Sequence, residues 1–251
     1  MNNRPAGSPW IPFGTAPDAG VRLLCLPHAG AGAAVYRAWG TGFPVGVAAC
    51  PVQPPGREKR QREPPLTSVH ELANLLAAEV ITSVSQPYAL FGHSTGALVA
   101  FQLARRIREL GGPQAVHLFV SGRPAPQIPL RRTALGGLPI ADLAAVLREL
   151  GGTPEAVLQD EGILRRIRGL LVADFAVNED YTHQPEAPLA IPITVFAATQ
   201  DPGTSIAQAA AWAEQTSAAF RLRLVEGNHF AVFDRAAEVQ QEIANVLGTL
   251  P

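Results

Sequence analysis

The chain is short of cysteine, of lysine and of any excess charge. Only Cys25 and Cys50 occur, with no Cys-x-x-Cys spacing. That is too few thiols for a zinc site or a secreted disulfide framework, and their apolar surroundings predict inert core residues. Twenty basic residues against 21 acidic ones leave a net charge of −1. Such a balance supplies no global field for a polyanion, so nucleic-acid binding is not expected. Only Lys59 among the basic residues is lysine, which fits a GC-rich coding bias rather than a mechanism. Long apolar runs are missing too. The uncharged stretch Ala38–Gly56 carries eight Gly or Pro in 19 residues, too broken for a spanning helix. Met1–Phe13 has one Arg and no apolar h-region, so neither a signal peptide nor a membrane association is expected, and the expected location is cytoplasmic. What is present is apolar: 47% of 251 residues are hydrophobic, enough for one large core and a single domain, 1–251.

Short aliphatic runs at Arg22–Leu26, Gly46–Cys50, Tyr88–Phe91, His117–Ser121, Ile193–Ala198 and Arg221–Val225 read as strands. Several lack alternation, as strands buried on both faces do. Helical patterns separate them. Ser68-Val69-His70-Glu71 predicts a capping box, a second helix runs from Thr95 to a Gly111-Gly112-Pro113 stop, and a last one covers about Arg235–Leu247. The alternation predicts an α/β fold with a mostly parallel, doubly wound sheet. Residues 127–183 break the rhythm, with helices at Leu138–Leu150, Pro154–Gln159 and Gly162–Asn178 and no strand. An insertion of this kind before the Ile193 strand is expected to act as a helical lid over the carboxyl ends of the sheet.

The strongest chemical signal is Gly92-His93-Ser94-Thr95-Gly96 between an apolar strand and an amphipathic helix. Gly-x-Ser-x-Gly there makes a tight turn that exposes the serine hydroxyl above the sheet, so Ser94 is the candidate nucleophile. A serine needs a base. Of six histidines, His229 in Glu226-Gly227-Asn228-His229-Phe230 follows the last strand and can reach the carboxyl ends. The orienting acid is sought between them, in the order Ser, Asp, His. Asp142, Asp160, Asp174 and Asp180 fall in or beside the insertion, Ser121–Ile140 contains no acid, and Asp201 follows directly on the Ile193–Ala198 strand, so Asp201 is chosen. A bland reading makes it an N-capping aspartate ahead of Pro202. Donors to a developing oxyanion would be the backbone N–H of Thr95 and of Ala29, in the loop Pro27-His28-Ala29-Gly30-Ala31-Gly32. Gly30-x-Gly32 also suggests a dinucleotide loop, but Val35 replaces its third glycine and no acid for a ribose occurs from Ala19 to Arg57.

Taken together, Pro27-His28-Ala29-Gly30 with Tyr36 and Trp39, Pro54-Pro55-Gly56-Arg57, Phe91 to Phe101 around the serine, Phe119-Val120-Ser121-Gly122-Arg123 and Ala173-Asp174-Phe175 resemble the type II (external) thioesterases of polyketide and nonribosomal peptide assembly lines. The resemblance runs from about Leu23 to the end. It implies an α/β-hydrolase fold, acyl groups thioesterified to the phosphopantetheine arm of carrier proteins as substrates, editing of stalled or misprimed units, and no cofactor. It also maps nucleophile, acid and base onto Ser94, Asp201 and His229, and oxyanion donors onto Ala29 and Thr95. The expected arrangement is a monomer that meets acyl or peptidyl carrier proteins. Same-fold alternatives are a dedicated product-releasing thioesterase or a carboxylesterase or lipase; a non-catalytic carrier-binding protein is the alternative of another class. Two departures stand out: Thr95 where many relatives carry Met, and Ala198 where a glycine is expected ahead of the acid. Carrier proteins of this kind present an acidic helix, so a locally basic docking surface is expected at Arg131 and Arg132 or along Arg57–Glu63.

Overall fold

The computed structural model of the chain describes residues 8–16, 18–130 and 135–248. Six strands, β1 (Val21–Leu26), β2 (Val47–Pro51), β3 (Tyr88–His93), β4 (Leu118–Ser121), β5 (Ile193–Ala198) and β6 (Phe220–Val225), form one parallel sheet in the order β2-β1-β3-β4-β5-β6. All six expected strands are present. The runs that lack alternation do so because both faces are covered, whereas β6, on the edge of the sheet, is largely exposed. Leu24 and Leu26 of β1 face one core, while Leu23 and Cys25 face another on the opposite side of the sheet. Cys25 and Cys50 are free and buried.

Helices α1 (Val69–Ser83) and α2 (Thr95–Glu109) cover the first face. Between β4 and β5 come α3 (Ile140–Leu150), α4 (Glu155–Leu158) and α5 (Glu161–Glu179); α6 (Ile206–Ala210) lies between β5 and β6, and α7 (Ala231–Asp234) and α8 (Ala236–Leu247) follow β6. The second face is closed by α8 together with Tyr36 and Trp39 of a 3-10 turn at Ala33–Thr41. Local chemistry explains several boundaries. At α1, Ser68 Oγ accepts from the Glu71 N–H at 3.4 Å, and among the described residues only that half of the expected capping box forms. The reciprocal box appears instead at α6, between Ser205 and Gln208. α2 stops where Gly111 takes φ +64°, with Gly111 N–H donating to Arg108 O and Gly112 N–H to Ile107 O, the paired bonds of a Schellman stop.

The strand order fixes where a site can open. From β1 the chain moves outward to β2, then returns to pair β3 on the other side of β1, so the β1 and β3 loops diverge at a switch point. Leu26 is level with Gly92 in that pair, and both loops therefore start at the same height. Helices α3–α5 build a small core of their own from Leu143, Leu147, Leu158, Leu164, Leu171 and Phe175, above this crevice.

Candidate active site

Ser94 joins β3 to α2 at φ +55° and ψ −118°, a conformation that costs a non-glycine residue on the order of 1–3 kcal/mol. The glycines around it are there for space. A Cβ at Gly92 would strike the Gly96 carbonyl, and one at Gly96 would strike the carbonyl of Leu26. The Ser94 N–H donates to Ser121 O at 2.9 Å, which ties the turn to the end of β4.

Asp201 and His229 come from the loops after β5 and β6. Asp201 Oδ2 lies 2.8 Å from His229 Nδ1, with the carboxylate and imidazole both almost fully buried. The other oxygen, Oδ1, accepts the Gly203 N–H at 2.8 Å. The N-cap of the bland reading belongs instead to Ser205, while Asp201 uses one oxygen to close a turn on Gly203 and the other to meet His229. No glycine is needed at Ala198: β5 runs through it, paired with Val225, and the Thr199 and Gln200 N–H groups bond to Val225 O and Gly227 O before the chain reaches Asp201.

Ser94 and His229 line one cavity of about 230 Å³, closed on its far side by Leu147, Val157, Ile167, Leu171 and Phe175 of the inserted helices. Ala29 lies on its wall as well. Thr95 opens α2, so its N–H is among those with no acceptor inside the helix. A second cavity, about 980 Å³, adjoins Ser94 and Asp201 on the other side and is walled by Arg123, Asn178, Glu179, Asp180 and Gln208 among others.

Histidines crowd this corner. His93 lies with its ring centroid 4.9 Å from that of His229, Nδ1 2.8 Å from Ser121 Oγ. Burial, then the proximity of His229 and His28, pushes His93 well below the usual imidazole range. His28 donates from Nδ1 to Ala29 O at 2.9 Å, since a carbonyl can only accept, and burial lowers its pKa to about 4 despite that bond. Both neighbours are therefore neutral at neutral pH, and a charge arriving on His229 meets no like charge.

Two residues with no assigned part in the sequence reading, Asp174 and Asn178, also converge here. Asp174, on α5, receives Arg57 Nη2 at 2.6 Å on one oxygen and the Gly30 N–H at 2.7 Å on the other. Burial lifts its carboxyl above the usual range even so, against Arg57 and the Gly30 N–H. Asn178, one turn further along α5, donates from Nδ2 to Thr95 Oγ1 at 2.7 Å and receives Arg123 on Oδ1. The signal for Asp174 was a single acid beside the apolar Leu171 and Phe175; Asn178 left none. Arg57 is buried in its pair and Arg60 is bound to Glu63 and Gln53 O and lies over the Trp10 ring. These two arginines of the Arg57–Glu63 stretch hold the fold together rather than offer a docking surface. Arg131 and Arg132 lie outside the described residues.

A thioesterase-domain family profile matches residues 21–247, nearly the whole chain. The chain belongs to the thioesterase family. Among curated relatives, the gramicidin S biosynthesis protein GrsT of Aneurinibacillus migulanus is 40% identical over 221 residues, covering 88% of this chain and 86% of the relative. Among solved structures, the type II thioesterase BorB from the borrelidin biosynthetic cluster superposes with a TM-score of 0.86 at 36% identity, covering 96% and 98% of the two chains. RedJ, a thioesterase from the prodiginine pathway of Streptomyces coelicolor, gives 0.84 at 36% identity over 92% and 86%. The α/β-hydrolase fold expected from the sequence is thus the fold of this thioesterase. Among its described residues no cluster of three or more His, Cys, Asp or Glu could hold a metal, and no helix is long and apolar enough to cross a membrane.

Proposed function

We propose that this thioesterase hydrolyses acyl groups carried as thioesters on the phosphopantetheine arm of acyl or peptidyl carrier proteins, in the manner of a type II enzyme that clears stalled or misprimed units. Ser94 attacks the thioester carbonyl while His229 takes its proton; the tetrahedral oxyanion is held by the N–H groups of Ala29 and Thr95; the thiol leaves with a proton from His229. Water, deprotonated by His229, then attacks the acyl-serine and releases the free acid. Asp201 keeps Nδ1 of His229 protonated, so that Nε2 is the accepting nitrogen. No cofactor enters these steps. The observation that carries the reading is the buried Asp201–His229 bond, made by two separate loops, beside the cavity onto which Ser94 opens.

The cavities suggest how the substrate divides. The smaller one, walled by aliphatic and aromatic side chains, suits an acyl chain, and the larger, with amide, carboxylate and guanidinium groups on its wall, suits the amide-bearing arm. The proposed helical lid, residues 127–183, supplies most of both walls. All these groups come from one chain, so a monomer is sufficient. Arg131 and Arg132 remain the proposed contact for an acidic carrier helix. The deciding experiment compares acyl-carrier, acyl-pantetheine and oxygen-ester substrates. Wild-type protein should prefer the carrier thioester, and Ser94→Ala and His229→Ala should each lose several orders of magnitude in turnover while staying folded. Preference for soluble oxygen esters would make the protein a carboxylesterase, and full activity without Ser94 would overturn the mechanism.

A further inference from the structure

The two loops proposed to supply the oxyanion donors are both gripped by a single helix that carries no member of the triad. Asp174 and Asn178 lie four residues apart on α5 and therefore project from one face of it. Asp174 binds the N–H of Gly30, the residue after Ala29. The same Ala29–Gly30 peptide is held at its other end, where Ala29 O accepts from His28 Nδ1. Arg57 completes the clamp by pairing with Asp174 and donating to Ala31 O at 3.3 Å. Asn178 reaches the second loop through Thr95 Oγ1. Its orientation is fixed because the Arg123 guanidinium can only donate, which puts the amide oxygen toward Arg123 and the NH₂ toward Thr95. By contrast, the Asp201–His229 bond joins two loops of the sheet and has no member on α5.

We propose that Asp174 and Asn178 are positioning residues for the oxyanion hole, and that α5 seats both donors when it lies on the sheet. The triad would survive displacement of α5; stabilisation of the transition state would not. This rests on the assignment of Ala29 and Thr95 as donors.

The test exploits Thr95, whose hydroxyl can be removed without changing its shape. Thr95→Val should lower kcat on a short acyl-pantetheine thioester by ~10- to 100-fold with KM within about 2-fold, a fraction of the loss expected for deleting a donor outright. Thr95→Ser should restore turnover. A trifluoromethyl ketone that adds to the serine should lose affinity in Thr95→Val in step with kcat, while the unreactive pantetheine amide binds unchanged, because only the former carries an oxyanion. Asn178→Ala should act as Thr95→Val does, and the double variant should be no worse than either single one. Unchanged kcat in Thr95→Val, or equal loss on ketone and amide, overturns the proposal while leaving the triad reading intact. Should Asn178→Ala fail to fold, the Val and Ser variants of Thr95 still decide it. If wild-type enzyme shows no dependence on Ser94, the reading of the site fails and this proposal with it.

Discussion

At Asp201 one carboxylate serves two partners, and each oxygen has a separate consequence. Oδ1 closes a turn on the Gly203 N–H, a short-range bond that an asparagine oxygen can keep. Oδ2 faces His229 Nδ1, where an asparagine would present its NH₂ and force the imidazole into the opposite tautomer. Asp201→Asn is therefore expected to unfold at nearly the wild-type urea concentration and yet lose on the order of 10⁴ in kcat. A variant that lost stability and activity together would show the turn, rather than the tautomer, to be the point of failure. The meeting of Ser94, His229 and Asp201 at one end of the sheet was legible in the sequence because each lies within four residues of the end of a strand, and the order of strands in the chain orders the candidates. Asp174 and Asn178 were not, since their partners lie on other elements: Asp174 meets Gly30 144 residues away and Asn178 meets Thr95 83 residues away. Nothing local to α5 announces such contacts.

Among the elements, α5 carries a buried ion pair, which folding alone does not require. Desolvating Arg57 and Asp174 together is costly, and removing one partner strands the other. Arg57→Met should destabilise the protein by about 3–5 kcal/mol in urea unfolding, because Asp174 stays buried beside the apolar Leu171 and Phe175. The double variant Arg57→Met, Asp174→Leu should recover most of that stability and still turn over slowly. If the double variant were as active as wild type, the pair would have no part in the site. The helices α1 to α5 and α8 were readable from periodicity within about two residues at their ends, whereas α7, a single turn at Ala231–Asp234, gave no reading. What the pattern could not show was the pairing of capping groups: Ser68 and Ser205 both precede a suitable third residue, and only Ser205 closes its box.

For the whole molecule, burial of neutral imidazoles sets the response to acid. His28 and His117 are both lowered from 6.5 to about 4, chiefly by burial, and burial likewise pushes His93 well below the usual imidazole range. His117 also stacks on Phe119, with Nε2 2.9 Å from Thr194 Oγ1. Because these side chains stay neutral in the fold and take up protons in the unfolded chain, the stability they confer is complete above 6.5. It drains away as the pH falls toward 4. The urea midpoint should accordingly drop steeply across that window, and His117→Asn should flatten part of the slope. A midpoint level from pH 6.5 to 4 would contradict the neutral assignment. The overall architecture was the most legible level of all, because short apolar runs alternate with helical patterns along the chain, and that alternation, rather than any single run, marks a parallel sheet.

The attachment of the inserted helices to the rest of the molecule is uneven, and this has an evolutionary corollary. α3 and α4 furnish cavity wall through residues such as Leu147 and Val157, whereas α5, which lines the cavity through Ile167, Leu171 and Phe175, is also bolted to the Gly30 and Thr95 loops. Descendants of such a chain can alter the first two helices to accept a longer, shorter or bulkier acyl group while the third stays under constraint from the chemistry. Transplanting residues 138–160 from a relative with another preference should change which chain length is hydrolysed fastest and leave the best kcat within about tenfold. Transplanting a helix that lacks Asp174 and Asn178 should depress kcat for every substrate alike.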